Sequence, residues 1–254
     1  MSLLQLRFKR SVLFFVAASL LTNTAAPEEF CPSGSRVKNN PAVMPVNSNP
    51  HGASYGEWAA RWWQWEFSLP TTGNPIFDTA DCNAGQTGKV WFLGGRLCSE
   101  YYARARNKRG HTDKKLLGSS RHVPVFADQC STVPGDNAGV ATPAGLRDCA
   151  IAARQTINCS LHATLDGVTI ENPPQYVVTS PLFNFGPLPN NNVLQFFGLN
   201  APAGTTGQSV TDGVYVMLNP LSAGSHTLHF RSELDFGGGS VFIQDITYNL
   251  TVAH

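Results

Sequence analysis

The groups that could do chemistry gather in two short stretches of this chain. One is Trp63-Gln64-Trp65-Glu66-Phe67, and the other is Gly224-Ser225-His226-Thr227-Leu228-His229-Phe230. On a helix, Trp63 and Phe67 stand four apart and can form an aromatic platform, with Gln64 and Glu66 as polar handles. Flat rings with a few convergent polar groups suit a sugar. The competing reading is that these rings fill a core and that Glu66, between two apolar lobes, needs a partner wherever it is buried. A glycosidase would need two carboxylates about 5 Å or about 6.5–9.5 Å apart. Glu57 and Glu66 lie on well-separated faces of one helix, so a hydrolytic Glu66 would have to recruit a distant acid such as Asp212, Glu233 or Asp235, or work with His226.

His226 and His229 do not make a metal pair, because residues three apart on a strand point to opposite faces. His226 shares its side with Leu228 and Phe230, and His229 with Thr227 and Arg231. There is no H-E-x-x-H, no G-x-S-x-G and no C-x-x-C. No catalytic residue, metal site or cofactor is therefore assigned. The ligand-binding candidates are Trp63, Phe67, Glu66, Gln64 and His226.

The element that carries the first stretch runs from Ser54 to Pro70. Ser54 and Glu57 have the spacing of a capping box, and Pro70 supplies the stop. Tyr55, Trp58, Trp62, Trp65 and Leu69 recur at spacings of three and four, one face of a 3.6-residue period. Glu57 and Arg61 are placed for a weak i,i+4 pair. Four of the five tryptophans sit on this helix.

The remainder reads as strands. Lys89–Leu93, His122–Ala127, Tyr176–Phe185, Val193–Phe197, Gly213–Leu218, His226–Arg231 and Val241–Val252 have strand character, the last with clean alternation from Ile246 to Val252. Leu161–Ile170 reads as a hairpin about a type I′ turn at Asp166-Gly167, which makes Asp166 a turn residue rather than an acid. A second short helix is expected from Pro143 to about Gln155, burying Leu146, Ala150 and Ala153. The expected fold is mainly β: an immunoglobulin-like or jelly-roll-type β-sandwich with the Trp-rich helix appended. With 23 Gly and 17 Pro in 254 residues, and only 14% charged residues, the composition fits a turn-rich globular protein and excludes disorder.

Residues 1–26 read as a signal peptide, with Arg7, Lys9 and Arg10 before an apolar run from Ser11 to Leu21 and small residues at Thr24, Ala25 and Ala26. The chain is then expected to be secreted, periplasmic or on the cell surface, without a transmembrane segment once the peptide is removed. Its removal takes away three cations and no acid, leaving 15 Lys and Arg against 17 Asp and Glu. That balance favours no polyanionic partner, and no nucleic acid is expected. Six cysteines remain, an even number that reads as disulfides in an exported chain. Cys82–Cys98 and Cys130–Cys149 are the expected pairs, with Cys31 and Cys159 left open. Residues 27–53 form an extended lead-in, and 54–254 a single domain interrupted by a basic insertion at 99–121.

Ser54-Tyr55-Gly56-Glu57-Trp58, Trp62-Trp63-Gln64-Trp65, Gly85-Gln86 and Val90-Trp91-Phe92-Leu93 resemble an uncharacterised family of secreted microbial β-rich proteins. Asp166-Gly167, Ser180-Pro181-Leu182-Phe183, Asp212-Gly213 and Pro220-Leu221 through Phe230 continue the likeness. The resemblance implies export and a β-rich fold, and no chemistry. Residues 224–230 also resemble the closing strands of immunoglobulin-like adhesion domains. Between Cys98 and Val123 the chain departs from the family pattern of a short Pro-Gly connection, which unsettles the Cys98 pairing. The function expected from all this is a non-catalytic binding or cell-surface module, with a glycan or envelope component as partner. A secreted hydrolase acting on cell-wall or polysaccharide substrates and a structural envelope protein are the alternatives.

Overall fold

The computed structural model describes residues 40–74, 76, 84–94, 120–154, 161–170, 173–235 and 241–252. The expected signal peptide, Cys31, Cys82, Cys98, Cys159 and all of the basic insertion before Ser120 lie outside the described residues. The chain is mainly β, with strands in two sheets and few helices.

Helix α1 spans Tyr55–Ser68. Ser54 Oγ accepts from the Glu57 amide at 3.2 Å, and the Glu57 carboxylate accepts from the Ser54 amide at 2.7 Å, so two donors at the helix start are satisfied reciprocally. Leu69, ahead of Pro70, is extended and ends the helix. Glu57 is thereby committed to the cap. Arg61 lies instead over the Trp58 ring, 4.5 Å from its centroid.

The first sheet has the order β1 (Val90–Phe92), β2 (Ser120–Ser131), β7 (Gly207–Leu218) and β5 (Val177–Thr179), with β6 (Phe183–Phe185) also on the β5 edge of β7. β1 runs parallel to β2, whereas β2 and β7 pair antiparallel from Arg121↔Leu218 to Ser131↔Ser209. Their register shifts between Pro124 and Phe126, next to a proline that has no amide hydrogen for the ladder. The second sheet has the order β4 (Val168–Thr169), β3 (His162–Leu165), β8 (Gly224–Asp235) and β9 (Val241–Val252). Asp166 and Gly167 join β3 to β4 with φ of 52° and 75°, the left-handed dihedrals a tight two-residue hairpin needs.

One hydrophobic core takes residues from both sheets: Val123, Val214, Val216 and Leu218 from the first, and Ala163, Leu228, Phe230, Ile246 and Leu250 from the second. Alternation along β7 turns Tyr215 and Met217 the other way, toward α1. The Tyr55 hydroxyl accepts from the Met217 amide at 3.2 Å, and Trp63 Nε1 donates to the Tyr215 hydroxyl at 3.1 Å. Gly56 permits this docking, because a Cβ there would lie 2.9 Å from the Thr179 carbonyl oxygen of β5. Helix α2 (Pro143–Arg154) seats Leu146 and Ala150 against Val210 and Cys130, and the Cys130–Cys149 disulfide ties it to β2. Ala153 is only half-buried.

Two of the expected strands differ, one replaced by a helix and one interrupted. Val193–Phe196 is a short helix, α3, because the Asn192 side chain accepts from the Gln195 amide at 3.1 Å and closes a second capping box. Tyr176–Phe185 is broken into a 3₁₀ turn ending at Tyr176, then β5, then β6, with Pro181 in the gap where a continuous strand would need a donor. Among the described residues, no helix is long and apolar enough to cross a membrane.

Candidate functional site

The five ligand-binding candidates do not share an open face. Glu66 is 1% exposed, and its Oε1 accepts from Asn74 Nδ2 at 2.6 Å while Oε2 has no hydrogen-bond partner. Burial, only partly opposed by the Asn74 hydrogen bond, pushes its pKa up to about 8, so the carboxyl is protonated at neutral pH. Phe67 is also 1% exposed and packs on Phe185, ring centroids 4.8 Å apart. Trp63 is half-buried with its N–H committed to Tyr215, and the exposed Gln64 donates to the Asn184 carbonyl oxygen at 2.8 Å. The platform is therefore mostly sealed. Nor do the other acids pair with Glu66: Asp212 is held by Arg154 and by Thr179 Oγ1 at 2.6 Å, and Glu233 by Arg231 at 2.6 Å. Nothing is described of the Asp235 side chain.

His226 sits in an arrangement that resembles a nucleophilic triad. Its Nδ1 lies 2.7 Å from Asp166 Oδ2, and Ser222 Oγ is 3.4 Å from its Nε2. The Ser222 carbonyl oxygen is nearer Nε2, at 2.9 Å. An acceptor facing each ring nitrogen favours the imidazolium. Burial alone would lower the His226 pKa, and hydrogen bonds to Asp166 and to the Ser222 carbonyl outweigh it and raise it. With Nε2 donating to the nearer Ser222 carbonyl oxygen, that nitrogen offers no lone pair to the serine hydroxyl. Asp166 also accepts from the Thr227 amide at 2.7 Å, and its own amide donates to the Thr227 carbonyl oxygen at 2.8 Å. The cluster clasps the β3–β4 turn onto β8 and is a latch, so Asp166 does more than turn the chain.

The sequence reading offered Asp212 only as a distant acid for Glu66, and missed Asp128 on β2 and Asp136 beyond its end. Asp128 and Asp212 stand directly opposite each other on β2 and β7. Burial raises Asp128 to about 6 and Asp136 to about 7, the latter against hydrogen bonds from Ser131 Oγ at 2.6 Å and Gln129 Nε2 at 2.9 Å. Asp212 is raised as well, again through burial. Asp136 and Asp212 have protein donors on their side-chain oxygens, and Asp128 accepts from the Gln129 amide. No group of three or more described His, Cys, Asp or Glu residues could hold a metal ion.

A groove opens on the opposite flank of α1, and of the five candidates Gln64 lines it. Its floor is Trp58, Trp65 and Phe92, and its rim carries Arg61, Gln64 and Ser68 from α1 with Thr87, Gly88 and Lys89 from the loop before β1. The cavity measures about 460 Å³. Gln86 positions the loop wall by pairing like a strand with Phe92, donating to its carbonyl oxygen at 2.6 Å and accepting from its amide at 3.0 Å. Trp65 Nε1 donates to the Ala84 carbonyl oxygen at 3.0 Å. Gly85, at φ 64°, lies so close to Trp65 that a Cβ would come within 2.9 Å of Nε1. Trp58 and Trp65 are 8% and 6% exposed, so each offers a ligand little surface, while Phe92 is half-buried. Among the described residues, no carboxylate, histidine or cysteine lines the groove. Such a site can hold a ligand by ring contact, by hydrogen bonds and through the cations Arg61 and Lys89.

No protein-family model matches the chain, and no curated protein matches it. Among solved structures, the solution structure of amebosin aligns at 7% identity over 54% of this chain and 82% of that one, with a TM-score of 0.16. That likeness carries nothing about fold or function.

Proposed function

We propose that this chain is an exported, non-catalytic module, its two sheets arranged as an immunoglobulin-like or jelly-roll-type sandwich, that binds glycan in the groove between α1 and the 84–89 loop. The observation that carries this reading is the groove's composition: an aromatic floor under a rim of Arg61, Gln64, Ser68, Thr87 and Lys89, with no carboxylate among the described lining residues. The core shared by the two sheets supports the sandwich. The Cys130–Cys149 disulfide and the N-terminal apolar segment support an oxidising, extracytoplasmic destination. The hydrolase alternative lacks comparable support, since Glu66 is sealed and His226 is clasped.

The test is calorimetric titration of the processed chain with a panel of plant and microbial oligosaccharides, repeated with Thr87→Trp. Thr87 is exposed on the rim, so the indole fills the groove without entering the core. Binding by the native chain that disappears in Thr87→Trp, with an unchanged melting temperature, is the expected result. Silence across the panel sinks the glycan reading, and binding indifferent to Thr87→Trp moves it to another surface.

A further inference from the structure

The groove has an imbalance that its glycan reading does not use. Its apolar floor is narrow, because Trp58 and Trp65 are almost wholly buried. A ligand there buries little indole surface, and stacking alone supplies weak binding. The rim must contribute the rest, and among the described residues the charged groups on it are Arg61 and Lys89, both exposed. Glu57, the acid nearest Arg61 along the helix, has its carboxylate turned to the Ser54 amide and hydroxyl at 2.7 and 2.9 Å. Arg61 is also stacked, its guanidinium 4.5 Å from the centre of the Trp58 ring. A guanidinium held over an indole by this cation–π contact loses little freedom on binding, and its fork of N–H donors matches a carboxylate.

Resting on the glycan reading, we infer that the groove selects acidic glycans: oligosaccharides of hexuronic acid, whose pyranose rings lie against Phe92 and the indoles while ring carboxylates meet Arg61 and Lys89. Charge complementarity argues for this class over neutral sugars. The aromatic floor argues for a ring-bearing polyanion over a bare one.

The experiment compares hexagalacturonate with its fully methyl-esterified form, which has the same rings and linkages without the charge, and adds inorganic polyphosphate as a charge-only probe. Calorimetry is run on the native chain and on Arg61→Gln, Lys89→Gln and Thr87→Trp, at low and physiological ionic strength. Expected are at least tenfold tighter binding of the acid than of the ester, a loss of about threefold to tenfold in Lys89→Gln and in Arg61→Gln, abolition in Thr87→Trp, and weakening with salt. Lys89→Gln keeps the test independent of any folding effect of unstacking Arg61. Acid and ester bound equally, with both lost in Thr87→Trp, would overturn the acidic preference and leave the glycan reading intact. Acid binding unmoved by all three variants, or polyphosphate bound as tightly as the hexauronate, also overturns it. No binding of acid, ester or any neutral oligosaccharide removes the glycan reading, and this inference falls with it.

Discussion

Glu66 and His122 are the residues whose chemistry the fold changes most. His122 is fully buried with neither ring nitrogen hydrogen-bonded, stacked on Tyr215 at 5.1 Å and edge-on to Phe92. Burial pulls its pKa down to about 3, so it stays neutral in the folded chain. Glu66 moves the other way, to about 8. A carboxyl whose folded pKa is raised contributes stability that is full below its unfolded pKa, near 4.5, and is lost as pH rises through about 8. Glu66→Gln removes that titration while keeping the shape and the acceptor for Asn74. The variant should match the native chain near pH 4.5 and exceed it at pH 7 by on the order of 3 kcal/mol. Urea unfolding at the two pH values measures both; a variant less stable at pH 7 would show that the site needs the carboxylate.

At the scale of elements, the two capped helices differ in what their caps hold. Ser54 is partly exposed and serves only the start of α1, so Ser54→Ala should cost about 1 kcal/mol. Asn192 is fully buried, and its Nδ2 also donates to the carbonyl oxygens of Pro189 and Ala201, both at 2.9 Å. Asn192→Ala strands those acceptors and should cost about 2–3 kcal/mol. Equal urea midpoints for the two variants would count against this ranking. The same elements separate what could be read in advance from what could not. The Ser54–Glu57 spacing, the Asp166-Gly167 turn and the alternation of β9 are local patterns in which propensity and period agree. Val193–Phe197 is a short apolar run that fits either period, and the deciding signal was Asn192 with Gln195 three residues on, a cap of the kind recognised at Ser54. Glu66 stood out as a carboxyl between apolar lobes, but its partner Asn74 comes from a loop with no period. The groove had no local signature either. Its wall is built by Gln86 reaching Phe92 and by Gly85 lying on Trp65, contacts that exist only once α1 and β1 are side by side.

Over the whole molecule, the buried titrating groups set the pH at which the chain is firmest. Glu66, Asp136 and Asp128 all have raised pKa values and lose stability as pH rises, the two aspartates less because each keeps an edge to solvent. His122, lowered, contributes stability above about 6.5 that fades as pH falls toward 3. The depressed carboxylates Glu57 and Asp166 also lose their contribution in strong acid. From pH 8 down to about 5 the raised groups, with Asp212 and His226 shifted in the same direction, outweigh the one lowered histidine, and the melting temperature should climb to a maximum at about pH 4–5. Calorimetric scans at constant ionic strength read it directly, and a melting temperature still rising toward pH 8 contradicts it.

All four indoles of α1 have their only donor engaged within the chain, by Pro50, Leu93, Tyr215 and Ala84 in turn. Visiting molecules are offered π density and hydrocarbon there, with no hydrogen left to hand over. Epimers that differ only in an axial or equatorial hydroxyl should look alike to those rings, so any telling apart of stereoisomers falls to the side chains around them.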